Sequence, residues 1–130
     1  MKLKSIFLGV TLACGSVLGF ADNNIKMVVG TYTDAGGQGL YSFSFDQSTG
    51  KATGISSLNV NNPSYLTFSK DGRHIYAVSE KNNATAVLNC IGFDPIKGTF
   101  AFKNSQLTNG GDPCYVDTNG KIALTANYSG

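Results

Sequence analysis

The sequence predicts an all-β protein, specifically a β-propeller of four-stranded antiparallel blades, with about two blades and the start of a third present. Three observations carry this prediction. Short runs that alternate apolar and polar residues are separated by Gly, Asn, Asp and Pro, the punctuation of strands and tight turns. No long stretch shows the periodicity of an amphipathic helix. The chain also superimposes on itself at a shift of 48 residues. Phe45-Asp46 recurs as Phe93-Asp94, Gly50 as Gly98, Leu40 as Leu88 and Gly72 as Gly120. The same shift carries Gly30-Thr31-Tyr32 onto Val78-Ser79-Glu80 and then onto Ala126-Asn127-Tyr128. Asn62-Pro63-Ser64-Tyr65 reappears as Asp112-Pro113-Cys114-Tyr115 at a shift of 50, so two residues are lost before Gly120.

Each unit reads as four short strands. Residues 25–32, 40–45 and 52–58 align with the second, third and fourth strands, which leaves the first unit without its innermost strand. The second unit is complete. Its strands are 65–69, 74–78, 86–93 and 99–103, joined by the Asp71-Gly72 turn, the loop Glu80-Lys81-Asn82-Asn83 and the turn from Asp94 to Gly98. The chain stops just after the second strand of a third unit. A repeat of about 50 residues with four strands buries both sheet faces only when like sheets pack against it, as propeller blades do. A sandwich also gives short, evenly spaced strands, but it does not require residue-by-residue recurrence. Closed rings take about four to eight blades, often with one strand exchanged between the chain ends. The sequence therefore reads as the N-terminal piece of a longer protein, residues 22–130 being an incomplete propeller domain.

Residues 1–21 have the layout of an export signal: Lys2 and Lys4, then an apolar stretch from Ile6 to Ala13, then Gly19 and Ala21 at the positions a signal peptidase reads before a cut after Ala21. The apolar run is shorter than the roughly 20 residues needed to span a bilayer, so no membrane span is expected after cleavage. A periplasmic or extracellular location follows. Lipoprotein processing at Cys14 is the second choice, because Thr11 stands where a lipobox has Leu. Without residues 1–21 the chain carries eight basic and eight acidic side chains. Arg73 is its sole arginine and its lysines are scattered, which argues against nucleic acid as a partner. Cys90 and Cys114 match no metal spacing and are expected as free thiols buried in strands rather than as a disulfide. No metal and no cofactor are expected.

Several stretches together resemble the lactonase family of seven-bladed propellers, the 6-phosphogluconolactonase-like proteins. They are Gly30-Thr31-Tyr32-Thr33, Gly39-Leu40-Tyr41-Ser42-Phe43, Asn62-Pro63-Ser64-Tyr65-Leu66, the run from Asp71 to Glu80, and Ala126-Asn127-Tyr128-Ser129-Gly130. The resemblance runs from about residue 27 to the end, and it rests on order and spacing. It implies a seven-bladed parent that hydrolyses a small-molecule sugar or organic-acid lactone, with catalytic His, Glu and Arg in blades beyond Gly130. Tyr115 stands where family members often have His. Two further readings stay open: a non-catalytic secreted propeller that binds glycan or protein, and a lactone-forming cyclase of the same family.

Lactone hydrolysis needs a base for water and hydrogen-bond donors for the carbonyl oxyanion. Loops from fourth to first strands and from second to third strands share one face of a propeller. That face gathers Asn61-Asn62-Pro63-Ser64, Glu80-Lys81-Asn82-Asn83, Thr33-Asp34 and Asn127-Tyr128. Glu80, the only Glu, is a weak catalytic candidate whose simpler role is to satisfy loop amides. Tyr32, Ser64, Asn127 and Tyr128 are the substrate-binding candidates, although Tyr32 and Tyr128 are expected first as packing between blades. His74 lies six residues before Glu80 on one strand, roughly 20 Å away at about 3.3 Å per residue. This sets His74 and Arg73 near the opposite face, outside the chemistry. Gly36-Gly37-Gln38-Gly39 lacks the helix and the Lys-Ser/Thr of a phosphate loop and reads as a turn.

Overall fold

The computed structural model describes residues 23–130. The export signal over 1–21 and the lipidation alternative at Cys14 lie outside the described residues. Nine strands follow in order: β1 (Asn24–Gly30), β2 (Gly39–Asp46), β3 (Ala52–Asn59), β4 (Leu66–Phe68), β5 (His74–Ser79), β6 (Val87–Asp94), β7 (Thr99–Leu107), β8 (Gly111–Thr118) and β9 (Ala123–Ser129). They form three separate antiparallel sheets, ordered β1-β2-β3, β4-β5-β6-β7 and β8-β9. The first two are up-and-down meanders, as expected for blades, and the third is a hairpin; among the described residues the first sheet holds the second to fourth strands of its unit.

The repeat is visible in backbone detail. Gly50, Gly72, Gly98 and Gly120 all take left-handed backbone angles, with φ of 72°, 68°, 74° and 87°, at the turns where only glycine adopts them without cost. The outer turns share one device. Asp46 accepts from the Ser48 amide at 2.8 Å, while Asp94 accepts from the Ile96 and Lys97 amides at 2.9 Å each. Hydrogen bonds from the Ser48 side chain, then Thr49, hold the Asp46 carboxyl down at about 2. The ladder slips between Ser42 and Phe43 in one sheet and between Cys90 and Ile91 in the next. These positions differ by the same 48 residues, so the bulge is a property of the unit.

Strand limits shift where side chains carry no pattern. β7 runs on to Leu107, beyond the expected end at 103, because Asn104, Ser105 and Gln106 pair fully with β6 although all are polar and exposed. β4 is shorter than expected, yet Val78 still donates to the Tyr65 carbonyl at 3.1 Å and Ser69 to the His74 carbonyl at 2.9 Å, so the pairing frames it on both sides.

The core lies between sheets. Leu40 and Val60 from the first unit cluster with Ile75, Ala77, Ile91 and Phe93 from the second, with Val28, Leu58, Leu66 and Phe100 packed around them. β3 packs on β7, and β8 packs on β4 and β5. Ser42 and Ser56 both donate to the Gly98 carbonyl, at 2.5 and 2.9 Å, tying the first sheet to the outer turn of the second. Cys90 and Cys114 are free thiols as expected, but the burial expected for them fails. Cys90 is half-buried and Cys114 is exposed; Cys90 borders the bulge before the buried Ile91, and Cys114 is the extra residue of the bulge between Pro113 and Tyr115, which turns it away from the buried Pro113 and Val116. No helix among the described residues is long and apolar enough to cross a membrane.

The first sheet ends at β1 and β3, and the last holds only β8 and β9; unpaired edges of this kind recruit other strands. Expressed as these 130 residues, the chain is expected to self-associate on size exclusion with light scattering. A monomeric peak with cooperative unfolding would contradict this.

Candidate functional site

The site is built from the loops that leave the ends of β1, β3, β5 and β7 on one face. Asn62, in the β3-to-β4 loop, is 5% exposed and adopts φ of 41°, a left-handed angle that Asn tolerates because its short side chain bonds local backbone. Its Oδ1 accepts from the Thr33 amide and the Thr33 hydroxyl, each at 2.9 Å, and its Nδ2 donates to Asp34 Oδ2 at 2.7 Å and to the Glu80 carbonyl at 3.2 Å. Its carbonyl accepts from the Ser64 amide at 2.8 Å and the Glu80 amide at 3.0 Å. Asp112, the corresponding residue of the next unit, has φ of 50°, donates its amide to the Lys81 carbonyl at 2.7 Å and accepts from the Ser129 hydroxyl at 2.7 Å. Both residues precede a buried proline, and both stitch one sheet to the next.

These junctions frame an open cleft of about 470 Å³ lined by Tyr32, Asp34, Asn61, Glu80, Lys81 and Asn82, with Asn62, Asn83 and Asp112 completing its wall. Three successive units contribute to it. The Tyr32 phenol crosses from the first sheet to donate to Glu80 Oε2 at 2.9 Å. Donation to Glu80, then burial, then the negative charge of Glu80 hold that phenol above its ordinary value of 10.0. The Ser64 hydroxyl lies close enough to offset part of the rise, yet it is buried and meets full hydrogen-bond geometry with no partner. Among the described residues, Glu80 Oε2 is engaged by Tyr32 while Oε1 has no partner.

Two expected roles are corrected here. The Glu80 carboxylate does not satisfy loop amides; Asn62 does that work for Thr33 and Asp34, which frees the carboxylate to meet Tyr32. Tyr32 is not buried between blades: it is 48% exposed in the cleft wall and reaches the next sheet only through its hydroxyl, because it stands where β1 runs out into a loop on the open face. Tyr128, near the end of β9, is 86% exposed. The structure thus brings Tyr32 and Glu80 together, whereas the Ser64 hydroxyl, near the Tyr32 phenol, lies outside the cleft lining. Asn127 and Tyr128 stand apart from the cleft lining. Asn127 instead packs on Gly110 and donates to the Thr108 carbonyl at 3.2 Å, while its Oδ1 is buried without a partner.

Arg73 and His74 line a different cavity, of about 440 Å³, with Asp94, Phe93 and Lys103, and none of its residues borders the Glu80 cleft. Tyr115 packs at a tilt of 44° against Tyr65, its counterpart one unit earlier, with ring centroids 4.9 Å apart. No group of three or more His, Cys, Asp or Glu among the described residues is placed to hold a metal ion. The sequence places Asn62, Asp34 and Lys81 on this face without marking Asn62 as the centre of the junction, and it leaves Asp112 out of the cleft wall. The recurrence of an Asn or Asp before Pro at 62 and 112 was the signal that marks them.

Meanders stacked face to face, each handing a loop to its neighbour, define the blades of a β-propeller with a polar cleft at one face. The family profile described as Lactonase, 7-bladed beta-propeller matches residues 26–130, and the chain belongs to that family. It is 36% identical over 104 residues to the 6-phosphogluconolactonase of Bacillus subtilis, a match covering 77% of this chain and 29% of the relative. Among solved structures it is similar to a candidate 6-phosphogluconolactonase of Bacteroides uniformis, with 49% identity and a TM-score of 0.80 over 83% of this chain and 32% of that one. It is also similar to the periplasmic gluconolactonase of Pseudomonas aeruginosa, with 31% identity and a TM-score of 0.73 over 82% and 31% of the two chains. The chain thus spans about three tenths of the length of the relatives it matches.

The Tyr32–Glu80 pair gives a titration to follow in a protein extended to the length of these relatives. The folded phenol binds its proton more tightly than the unfolded one, so the contribution of the pair is complete below about 10 and is lost as pH rises through the folded value. Glu80→Gln is expected to lower the Tyr32 titration toward 10.0, read as tyrosinate absorbance against a Tyr32→Phe control. An unchanged titration would show that the two groups do not meet.

Proposed function

We propose that these residues open the ring of an exported lactonase that hydrolyses a sugar or organic-acid lactone, and that the Glu80 cleft forms part of its substrate mouth. The observation that carries the reading is the Glu80 carboxylate, held by Tyr32 on one oxygen and open on the other, at the face where three units meet. Family membership supports the reaction class. Export is supported by the pattern of residues 1–21 and by the likeness to a periplasmic gluconolactonase.

Hydrolysis adds water to the lactone carbonyl, passes through a tetrahedral oxyanion and breaks the ring C–O bond to give a hydroxy acid. The base takes a proton from the attacking water, and the opened ring oxygen gains one. Glu80 Oε1 is placed either to accept that proton or to accept a hydrogen bond from a sugar hydroxyl. Lys81, Asn61 and Asn82 line the same cleft and supply donors. On this reading the Glu80 cleft works together with the catalytic His, Glu and Arg that the resemblance implies for later blades of the extended protein.

The test is hydrolysis of several aldonolactones by the extended protein, followed by pH-stat titration of released acid. Wild type is expected to turn over at least one of them. Glu80→Gln is expected to lower kcat/KM at least about ten-fold, the order of a lost hydrogen bond to a charged group, while His74→Ala leaves it unchanged. No hydrolysis by wild type, with glycan or protein binding instead, would move the assignment to a non-catalytic propeller.

A further inference from the structure

We infer that Asn62 is a positioning residue for the site, clamping the backbones of Tyr32 and Glu80 across the junction of two sheets so that the carboxylate faces substrate at a fixed height. Only the kinetic part of its test rests on the lactone reading. The geometry is two-sided. Glu80 is held by both of its backbone groups, its amide donating to the Asn62 carbonyl at 3.0 Å and its carbonyl accepting from Asn62 Nδ2 at 3.2 Å. On the other side Thr33, which follows Tyr32 directly, gives Asn62 Oδ1 both its amide and its hydroxyl at 2.9 Å. The 2.9 Å contact between the phenol and the carboxylate therefore spans two sheets that, at this rim, are joined through one buried side chain.

The chemistry of the amide explains why Asn stands here. Position 62 must accept from Thr33 while donating to Asp34 and to the Glu80 carbonyl. An ionised carboxylate only accepts. The next junction, where Asp112 accepts from Ser129, has no such double demand and carries Asp at the same left-handed position. A residue needed only for the turn could be either.

The test uses the extended protein with two variants, Asn62→Gly and the swap Asn62→Asp/Asp34→Asn. The first keeps the left-handed backbone and removes the side chain. The second keeps the net charge and a bridge between the two positions, but loses the donor to the Glu80 carbonyl. The readouts are the Tyr32 phenol titration, KM and kcat on an aldonolactone, and Tm. Asn62→Gly is expected to lower the phenol titration toward 10.0 and to raise KM about ten-fold, since misplacement of about 1 Å costs up to 10²-fold; the swap is expected to fall between it and wild type. A change in Tm alone, with the phenol titration and KM of wild type, would overturn the inference. If Asn62→Gly does not fold, a swap with wild-type titration and KM would overturn it equally. Absence of lactone hydrolysis in wild type sinks the proposed function and leaves the phenol titration to decide the positioning.

Discussion

A four-stranded meander has two faces and nothing of its own to cover them, and the rest of this structure follows from that deficit. Leu40 in the first sheet and Ile75 and Ile91 in the second are fully buried only because the sheets lie against one another. Burying side chains of this size contributes about 1.5–3 kcal/mol each, and no single sheet has a second layer to provide it. The repeat of 48 residues is the sequence form of the same constraint: each unit must offer its neighbour the surface it was itself offered.

Stacking also produces the site. Once sheets are fixed face to face, the loops at their ends meet at one rim, and buried polar groups there need partners from the adjacent unit. Asn62 supplies them at the first junction and Asp112 at the second. At that rim Tyr32 reaches Glu80 across the same 48-residue interval that separates equivalent positions of two blades. The exposed end of each second strand is therefore where units can differ without disturbing the core, and they do differ: Tyr, Glu and Tyr occupy the three equivalent places.

The fold was legible because its determinants are local and recur. Asp-Gly and Asp-to-Gly turns, period-2 alternation and self-similarity place all nine strands, and the four turn glycines show the predicted equivalence in their backbone angles. Strand ends were less legible. β7 outlasts its apolar pattern because Asn104 to Gln106 pair through backbone alone. The site was legible in part. Position along the repeat put Glu80, Tyr32 and Ser64 on one face, but the partner of the Glu80 carboxylate and the exposure of both tyrosines depend on which neighbour fills the junction, and that is tertiary information. Asn127 shows the limit: it shares the repeat position of Ser79 yet turns toward Gly110 and Thr108.

The central claim, that successive sheets stack face to face, is tested most directly by a contact between them. Ile55 on β3 places its δ-methyl within van der Waals reach of Gly98 at the outer turn of the second sheet, 2.8 Å from where a Cβ on that glycine would lie. With Ile δ-methyl labelling of the extended protein, a strong nuclear Overhauser effect between the Ile55 methyl and the Gly98 α protons is the predicted result. Effects from Ile55 confined to residues of its own sheet would contradict the stacked arrangement.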